Sequence, residues 1–293
     1  MYSIPTNNRD FERVVKDINN AVLSVIRFRK RENEDKIDWR TLGTGFFISS
    51  QGHFLTCYHV INPLKNPHKD GDGYRLISRL SGSGSRQFAW YDIPNVRIGT
   101  NLFLNSEKDA ALLSIPDIDR IEKEKGISQP YFVLNGSSIS DGKEIGVIGY
   151  PLARLSFKDN DINKPVLGSF IPRVSKNVIS SKQLVNTLRT ENEAMKNVSI
   201  VEVNFLFVPG NSGGPVFDAS TGEALAYVHG FRSILLKTRI IEAKLSKSLI
   251  GKIKNFLKGI PNKFIDTEKA IYSSGVTVDN IKEFLGQHKI QVK

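Results

Sequence analysis

Cysteine is almost absent from this 293-residue chain: Cys57 stands alone, so no internal disulfide can form. That argues against the small secreted scaffolds held by disulfides and fits a reducing compartment. Long apolar runs are missing too. Met1 to Phe28 is interrupted by Asn7, Asn8, Arg9, Asp10, Glu12 and Arg13, which leaves no uninterrupted apolar core of signal-peptide length. No stretch approaches the length of a membrane span, so the expectation is a cytoplasmic protein with no stable membrane insertion. Acidic residues are outnumbered, 30 Asp plus Glu against 41 Lys plus Arg, a net charge of +11. A basic surface attracts nucleic acid, anionic lipid or acidic protein. Here the basic residues are scattered, with a mild concentration between Lys237 and Lys258. Zinc-finger spacing, arginine blocks and aromatic-plus-basic RNA signatures are lacking, so no nucleic-acid partner is expected.

Hydrophobic residues make up 40% of the chain, a globular proportion. Asp10 to Asn19 reads as a short helix and Ala21 to Phe28 as a strand rich in β-branched residues. Short strand-like runs then recur between turns: 45–48, 53–56, 74–80, 96–99, 110–115, 145–148, 200–207 and 224–228. Strands at this density predict an all-β sandwich or a pair of barrels. SGSGS at Ser81–Ser85 and KDNDINKP at Lys158–Pro165 read as loops. Two β-rich halves would meet near residues 150–175. Leu249, Ile250, Ile253, Phe256 and Leu257 line one helical face that Gly259 and Pro261 end. Residues 1–260 therefore read as the main domain, and 261–293 as a short tail with a helical pattern from Val278 to Leu285 and Thr277 as its cap.

Three short motifs carry chemistry. PGNSGGPVF, Pro209 to Phe217, places Ser212 among glycines at 210, 213 and 214. A serine nucleophile needs an exposed turn, converging backbone N–H groups and room for a substrate backbone, which small residues provide. LTCYHV, Leu55 to Val60, delivers His59, one of five histidines, at the end of an apolar strand, where a general base can face a cleft. KDAALLSI, Lys108 to Ile115, sets Asp109 at the mouth of a buried strand, where its carboxylate can accept an imidazole N–H. The chain order His, Asp, Ser separates this arrangement from the other two common triad orders.

On these motifs the chain resembles the trypsin-like serine peptidases, in particular bacterial HtrA-type and glutamyl-endopeptidase-type catalytic domains. TLGTGFFIS at Thr41–Ser49 resembles the family's first-barrel strand, and VIGYPLA at Val147–Ala153 resembles the turn between its barrels. The resemblance spans roughly residues 20–257. It implies a mainly β fold of two antiparallel six-stranded barrels with a C-terminal helix, peptide-bond hydrolysis on protein or peptide substrates, and neither cofactor nor metal. It further implies a triad of His59, Asp109 and Ser212, an oxyanion hole from the N–H groups of Gly210 and Ser212, and a substrate pocket near Leu206, Val228, His229 and Gly230. Asn211 stands where zymogen-activated relatives carry an aspartate, so activation by a freed N-terminus is not expected. The 158–165 loop leaves a place for an activating protein partner.

Two other readings compete. The fold could serve as a protease-like binding module without turnover, against which the intact His, Asp, Ser and glycine positions count. The helix bearing Lys247, Lys252, Lys254 and Lys258 could bind a membrane surface, but packing of its apolar face on the second barrel explains it more simply. If His229 points into the pocket, acidic substrate residues are favoured; if it points away, an apolar pocket follows. The two cases differ by one residue of strand register, which turns a side chain to the opposite face. Cys57 reads as a small buried hydrophobe on the strand that leads to His59.

Overall fold

The computed structural model describes residues 10–30, 37–61, 72–79, 88–116, 118–119, 123, 130–151, 155–157, 165–167, 171–189, 194–203, 207–242 and 263–292. Helix α1 (Phe11–Ile18) buries Val14 and Ile18, four residues apart and therefore on one face. A 3-10 turn passes the chain to β1 (Val22–Lys30), followed by β2 (Ile37–Phe47), β3 (His53–Cys57), the one-turn helix α2 (Tyr58–Ile61), β4 (Asp72–Arg79), β5 (Phe88–Ile93), β6 (Leu102–Asn105) and β7 (Ala110–Ser114). These strands form one antiparallel sheet in the order β5-β4-β1-β2-β3-β7-β6. The runs of consecutive buried residues in β3 and β7 have a direct cause. Each strand has neighbours on both sides, and Phe54, Leu55, Leu112 and Leu113 are fully buried.

The second unit comprises β8 (Glu144–Gly149), β11 (Arg173–Arg189), β12 (Ala194–Val203), β13 (Pro215–Asp218), β14 (Ala224–Glu242) and β15 (Lys263–Thr277), closed into a six-stranded barrel in the order β11-β12-β15-β14-β13-β8. Its interior is a separate apolar cluster that includes Ile145, Val147, Ile179, Val201, Val216, Leu225 and Val228. The short strands β9 (Leu155–Phe157) and β10 (Pro165–Leu167) pair with each other outside the barrel. The chain is thus mainly β with two curled antiparallel sheets, as the sequence predicts, although the first contains seven strands rather than six.

Three expectations need correction. The crossing between the two units falls between β7 and β8, in residues 115–143, and not at 150–175, because β8 pairs with β11 and β13. The stretch 261–293 is not simply a helical tail. It opens with β15, which pairs with β12 and β14 and closes the barrel. Short-range periodicity could not show this, since a strand is fixed by partners distant in sequence. After β15 the chain forms a 3-10 turn (Val278–Ile281) and α3 (Lys282–Gln287), close to the expected helical pattern, although the Thr277 side chain does not cap it. Finally, residues 96–99 contribute only an isolated bridge at Ile98. Ser81–Ser85, residues 158–164 and the helix read at 249–257 with its lysines lie outside the described residues.

Candidate active site

Asp109 lies at the junction of a 3-10 turn (Ser106–Lys108) and β7 and adopts a left-handed backbone, φ 49° and ψ 41°. Aspartate tolerates this region better than most residues because its short side chain bonds locally. The turn is fixed by the Asn105 side chain, which accepts from the Lys108 N–H at 3.0 Å. The Asp109 carbonyl accepts from the Tyr58 N–H at 3.0 Å, tying the start of β7 to the start of α2. The result is a carboxylate that is 5% exposed and aimed at the next residue of α2.

That residue is His59. Its backbone N–H donates to Asp109 Oδ1 at 3.0 Å, and its Nδ1 lies 2.9 Å from Oδ2. Facing an ionised carboxylate, Nδ1 carries the proton, and the chemistry of the ring toward a substrate passes through Nε2. The side chain of His59 is 38% exposed, whereas that of Asp109 is 7%. β3 ends at Cys57, so His59 stands on the helical turn after the strand and not on the strand itself. The period-two alternation expected to relate Cys57 to His59 therefore does not apply. The Cys57 thiol is fully buried and donates to the Val228 carbonyl at 3.1 Å. Burial pushes this thiol well up, and the charge of Asp109 adds to the effect.

Burial would also raise the pKa of Asp109. The charge of His59 and hydrogen bonds from His229 and His59 outweigh it and hold the carboxyl well below the usual carboxylate range. The contribution of His229 was not expected. Its Nδ1 lies 2.6 Å from Asp109 Oδ2, and its ring meets that of His59 edge to face at 5.8 Å. The sequence left two orientations open, into the substrate pocket or away from it; the His229 side chain is turned onto the Asp109 carboxylate. The backbone accounts for it: Val228 exchanges hydrogen bonds with the Ser212 turn, accepting from Gly213 N–H and donating to Gly214 carbonyl, each at 2.8 Å. With Val228 so fixed, the next residue points toward Asp109.

Ser212 sits in that turn, between Gly210 (φ 101°) and Gly213 (φ 83°). A side chain at Gly213 would run into the Thr44 carbonyl and the Thr56 hydroxyl, so the turn needs glycine for space as well as for its positive φ. The Ser212 carbonyl accepts from the Thr44 N–H at 2.9 Å, which docks the Ser212 turn of the second unit onto β2 of the first. Thr44 does more than the sequence suggested. Its hydroxyl donates to the Gly210 carbonyl at 2.6 Å and accepts from the Tyr150 N–H at 2.9 Å. Tyr150 belongs to the VIGYPLA motif, so one side chain joins the first-barrel motif, the inter-barrel motif and the nucleophile motif. A small hydroxyl residue between two glycines, Gly43-Thr44-Gly45, was the available signal. Among the described residues, no acceptor is bonded to the N–H groups of Gly210 or Ser212, whereas those of Asn211, Gly213 and Gly214 are all used.

Residues 43–226 match the trypsin-like peptidase domain. The chain belongs to the trypsin-like peptidase family. The span of the match runs from the glycine before Thr44 into the strand after the Ser212 turn, so the three motifs around His59, Asp109 and Ser212 fall inside it. Among solved structures the domain is similar to the HtrA-type protease AlgW with decapeptide, at 15% identity over 95% of this chain and 67% of that one, with a TM-score of 0.52. It is also similar to Deg5, at 17% identity over 75% of this chain and 83% of that one, with a TM-score of 0.48. A search of curated proteins returns no match. The likeness to AlgW bears on the fold of the trypsin-like domain. Of the expected pocket residues, Val228 is fully buried, a side chain at Gly230 would meet open space, and Leu206 lies outside the described residues. No helix among the described residues is long and apolar enough to cross a membrane.

Proposed function

We propose that this chain is a serine endopeptidase that cuts protein or peptide substrates in the cytoplasm through His59, Asp109 and Ser212. The observation that carries this reading is the buried Asp109 carboxylate bonded to His59 Nδ1 at 2.9 Å, across from a serine turn docked by Thr44. His59 Nε2 takes the Ser212 hydroxyl proton as the oxygen attacks the scissile carbonyl, and then gives that proton to the leaving amine. Water repeats the sequence to release the acyl group. Asp109 keeps the proton on Nδ1 and stabilises the imidazolium that forms. The N–H groups of Gly210 and Ser212 hold the oxyanion. No cofactor or metal enters this scheme.

Asn211 brings no charge to bind a freed N-terminal ammonium, which supports a chain that is competent without trimming of its N-terminus. A partner acting on the loop at 158–165 would fit the same scheme. Since His229 is engaged with Asp109, an acidic substrate residue loses its expected cation, and an apolar residue before the cut is favoured. The test is labelling of the full-length chain, purified under reducing conditions, with a fluorophosphonate probe. The expected result is modification at Ser212 in the wild type and none in Ser212→Ala or His59→Ala, with peptide cleavage falling by about three to six orders of magnitude while the fold persists. Labelling of Ser212→Ala equal to wild type would refute the assignment. Peptide-library cleavage mainly after Lys or Arg would refute the apolar pocket.

A further inference from the structure

Strand alternation sets Tyr227 apart from its neighbours on β14. Ala226 and Val228 belong to the interior of the barrel, whereas Tyr227 joins the core shared with the first sheet, opposite Val276 of β15. Tyr227 is fully buried, and its hydroxyl donates to the Lys108 carbonyl of the first unit at 2.5 Å. Lys108 is the last residue of the 3-10 turn that leads into Asp109, and the last carbonyls of a helical turn find no partner inside it. The peptide between Lys108 and Asp109 is thus held on both sides, its carbonyl by Tyr227 and its N–H by the Ser106 carbonyl at 3.1 Å. The peptide that follows is held through the Asp109 carbonyl by the Tyr58 N–H. These two peptides flank the left-handed backbone of Asp109, which a residue other than glycine keeps only where its surroundings impose it.

The same turn meets the second unit again at β12. Asn197 is left-handed too, with φ 48°. Successive carbonyls of a regular strand point to opposite sides. Those of Lys196 and Asn197 instead both accept from the Lys108 ammonium, at 2.9 Å each. The Lys196 ammonium reaches back to Glu107 Oε1 at 3.3 Å. Both of these contacts are exposed, so each holds the turn less firmly than the buried tyrosine does.

We propose that Tyr227 is a positioning residue of the catalytic centre: from the second unit it fixes the peptide that leads into Asp109, while Lys108 clamps the same turn to β12. The inference rests on the triad reading above. If the hydroxyl is removed, the Lys108 carbonyl loses its partner, and the peptide is free to turn toward water. Turning that peptide changes the backbone of Asp109 and with it the aim of the carboxylate. His59 gives Asp109 both its backbone N–H and its Nδ1–H, so the ring follows the carboxylate and Nε2 loses its aim at Ser212. Tyr227 is buried away from any substrate, so the loss falls on the rate and not on binding.

The experiment is fluorophosphonate inactivation of the full-length chain, split into maximal rate and half-saturating probe concentration, for wild type, Tyr227→Phe, Lys108→Met and Lys108→Arg. The proton NMR resonance of His59 Nδ1–H is recorded on each. Tyr227→Phe keeps the buried ring and removes only the hydroxyl. It is expected to lower the maximal rate about tenfold with half-saturation unchanged, and to move the His59 resonance. Lys108→Met is expected to lower the maximal rate about threefold, the smaller effect of an exposed contact. Lys108→Arg, which can still donate to both carbonyls, should restore it. Should Tyr227→Phe fail to fold, Lys108→Met against Lys108→Arg decides by the same rates. A maximal rate of Tyr227→Phe within about twofold of wild type, an unmoved His59 resonance, or a loss confined to half-saturation each overturns the proposal. A rate of Lys108→Met equal to wild type overturns the clamp. Failure of the triad reading shows separately, as a wild type that the probe does not label at Ser212.

Discussion

Thr44 shows how much of the site hangs on one hydroxyl. It donates to the Gly210 carbonyl and accepts from the Tyr150 N–H, while the adjoining Thr44 carbonyl accepts from the Thr56 hydroxyl at 2.6 Å. Valine has the same shape and neither capacity. Replacing one partner in a buried hydrogen bond costs about 1–3 kcal/mol, because the remaining group loses water without gaining a partner. Thr44→Val is therefore expected to lower stability by that amount in a denaturant titration. It should also slow probe labelling at Ser212, since the Gly210 N–H is part of the proposed oxyanion hole. Thr44→Ser keeps both bonds and should keep both properties. Equal stability of Thr44→Val and wild type would count against the bridging role. The residue was visible within a recognisable motif, but its partners lie 106 and 166 positions away, beyond the reach of local pattern.

At the level of elements, β3 and α2 decide the state of Cys57. The strand ends on this cysteine, with the thiol turned to the second unit, where it meets the Val228 carbonyl. Full burial pushes the thiol well above its ordinary range, and the nearby Asp109 charge raises it further. Thiolate is the reactive form, so at neutral pH the folded protein should resist iodoacetamide and keep its reactivity toward the serine probe. Intact-mass measurement is expected to show no adduct on the native chain and one adduct in guanidinium. Rapid alkylation of the native chain accompanied by loss of probe labelling would assign the thiol a role it does not have here. Sequence placed Cys57 as a buried hydrophobe, and the structure agrees. Its relation to His59 was misread because a helical turn interrupts the strand between them.

Across the whole molecule, the segment after residue 262 joins the two units. β15 closes the barrel against β12 and β14, after which Val278, Ile281, Phe284, Leu285 and Ile290 join the large core shared with the first sheet. The Phe103 ring of β6 meets the His288 ring at a tilt of 40°, with 4.3 Å between ring centres. A chain ending at Thr277 keeps the barrel and loses these five buried side chains, each contributing about 1.5–3 kcal/mol. It is expected to melt well below wild type in calorimetry. A chain ending at Asn262 also loses a barrel strand and should show no cooperative transition. A melting temperature for the 277-residue chain equal to wild type would show that the segment adds nothing to the core.

The sequence by itself determined the class of fold and singled out the residues on which the proposed chemistry rests. A catalytic residue needs a particular side chain in a particular local backbone, such as glycines at a tight turn or a strand mouth before an apolar run, and those requirements are written in consecutive residues. The mainly β class, the buried character of β3 and β7 and the adjacency of His59 and Asp109 as a candidate pair were legible for that reason. Only the tertiary structure decided what depends on partners far apart in the chain. It assigned β8 to the second unit, made β15 a barrel strand rather than part of a tail, and made Thr44 the joint of three motifs. It also turned His229 onto Asp109, through a pairing of Val228 with the Ser212 turn that no local pattern encodes. In a strand the side chain's face is set by register, and register is a property of the paired sheet, not of the strand alone.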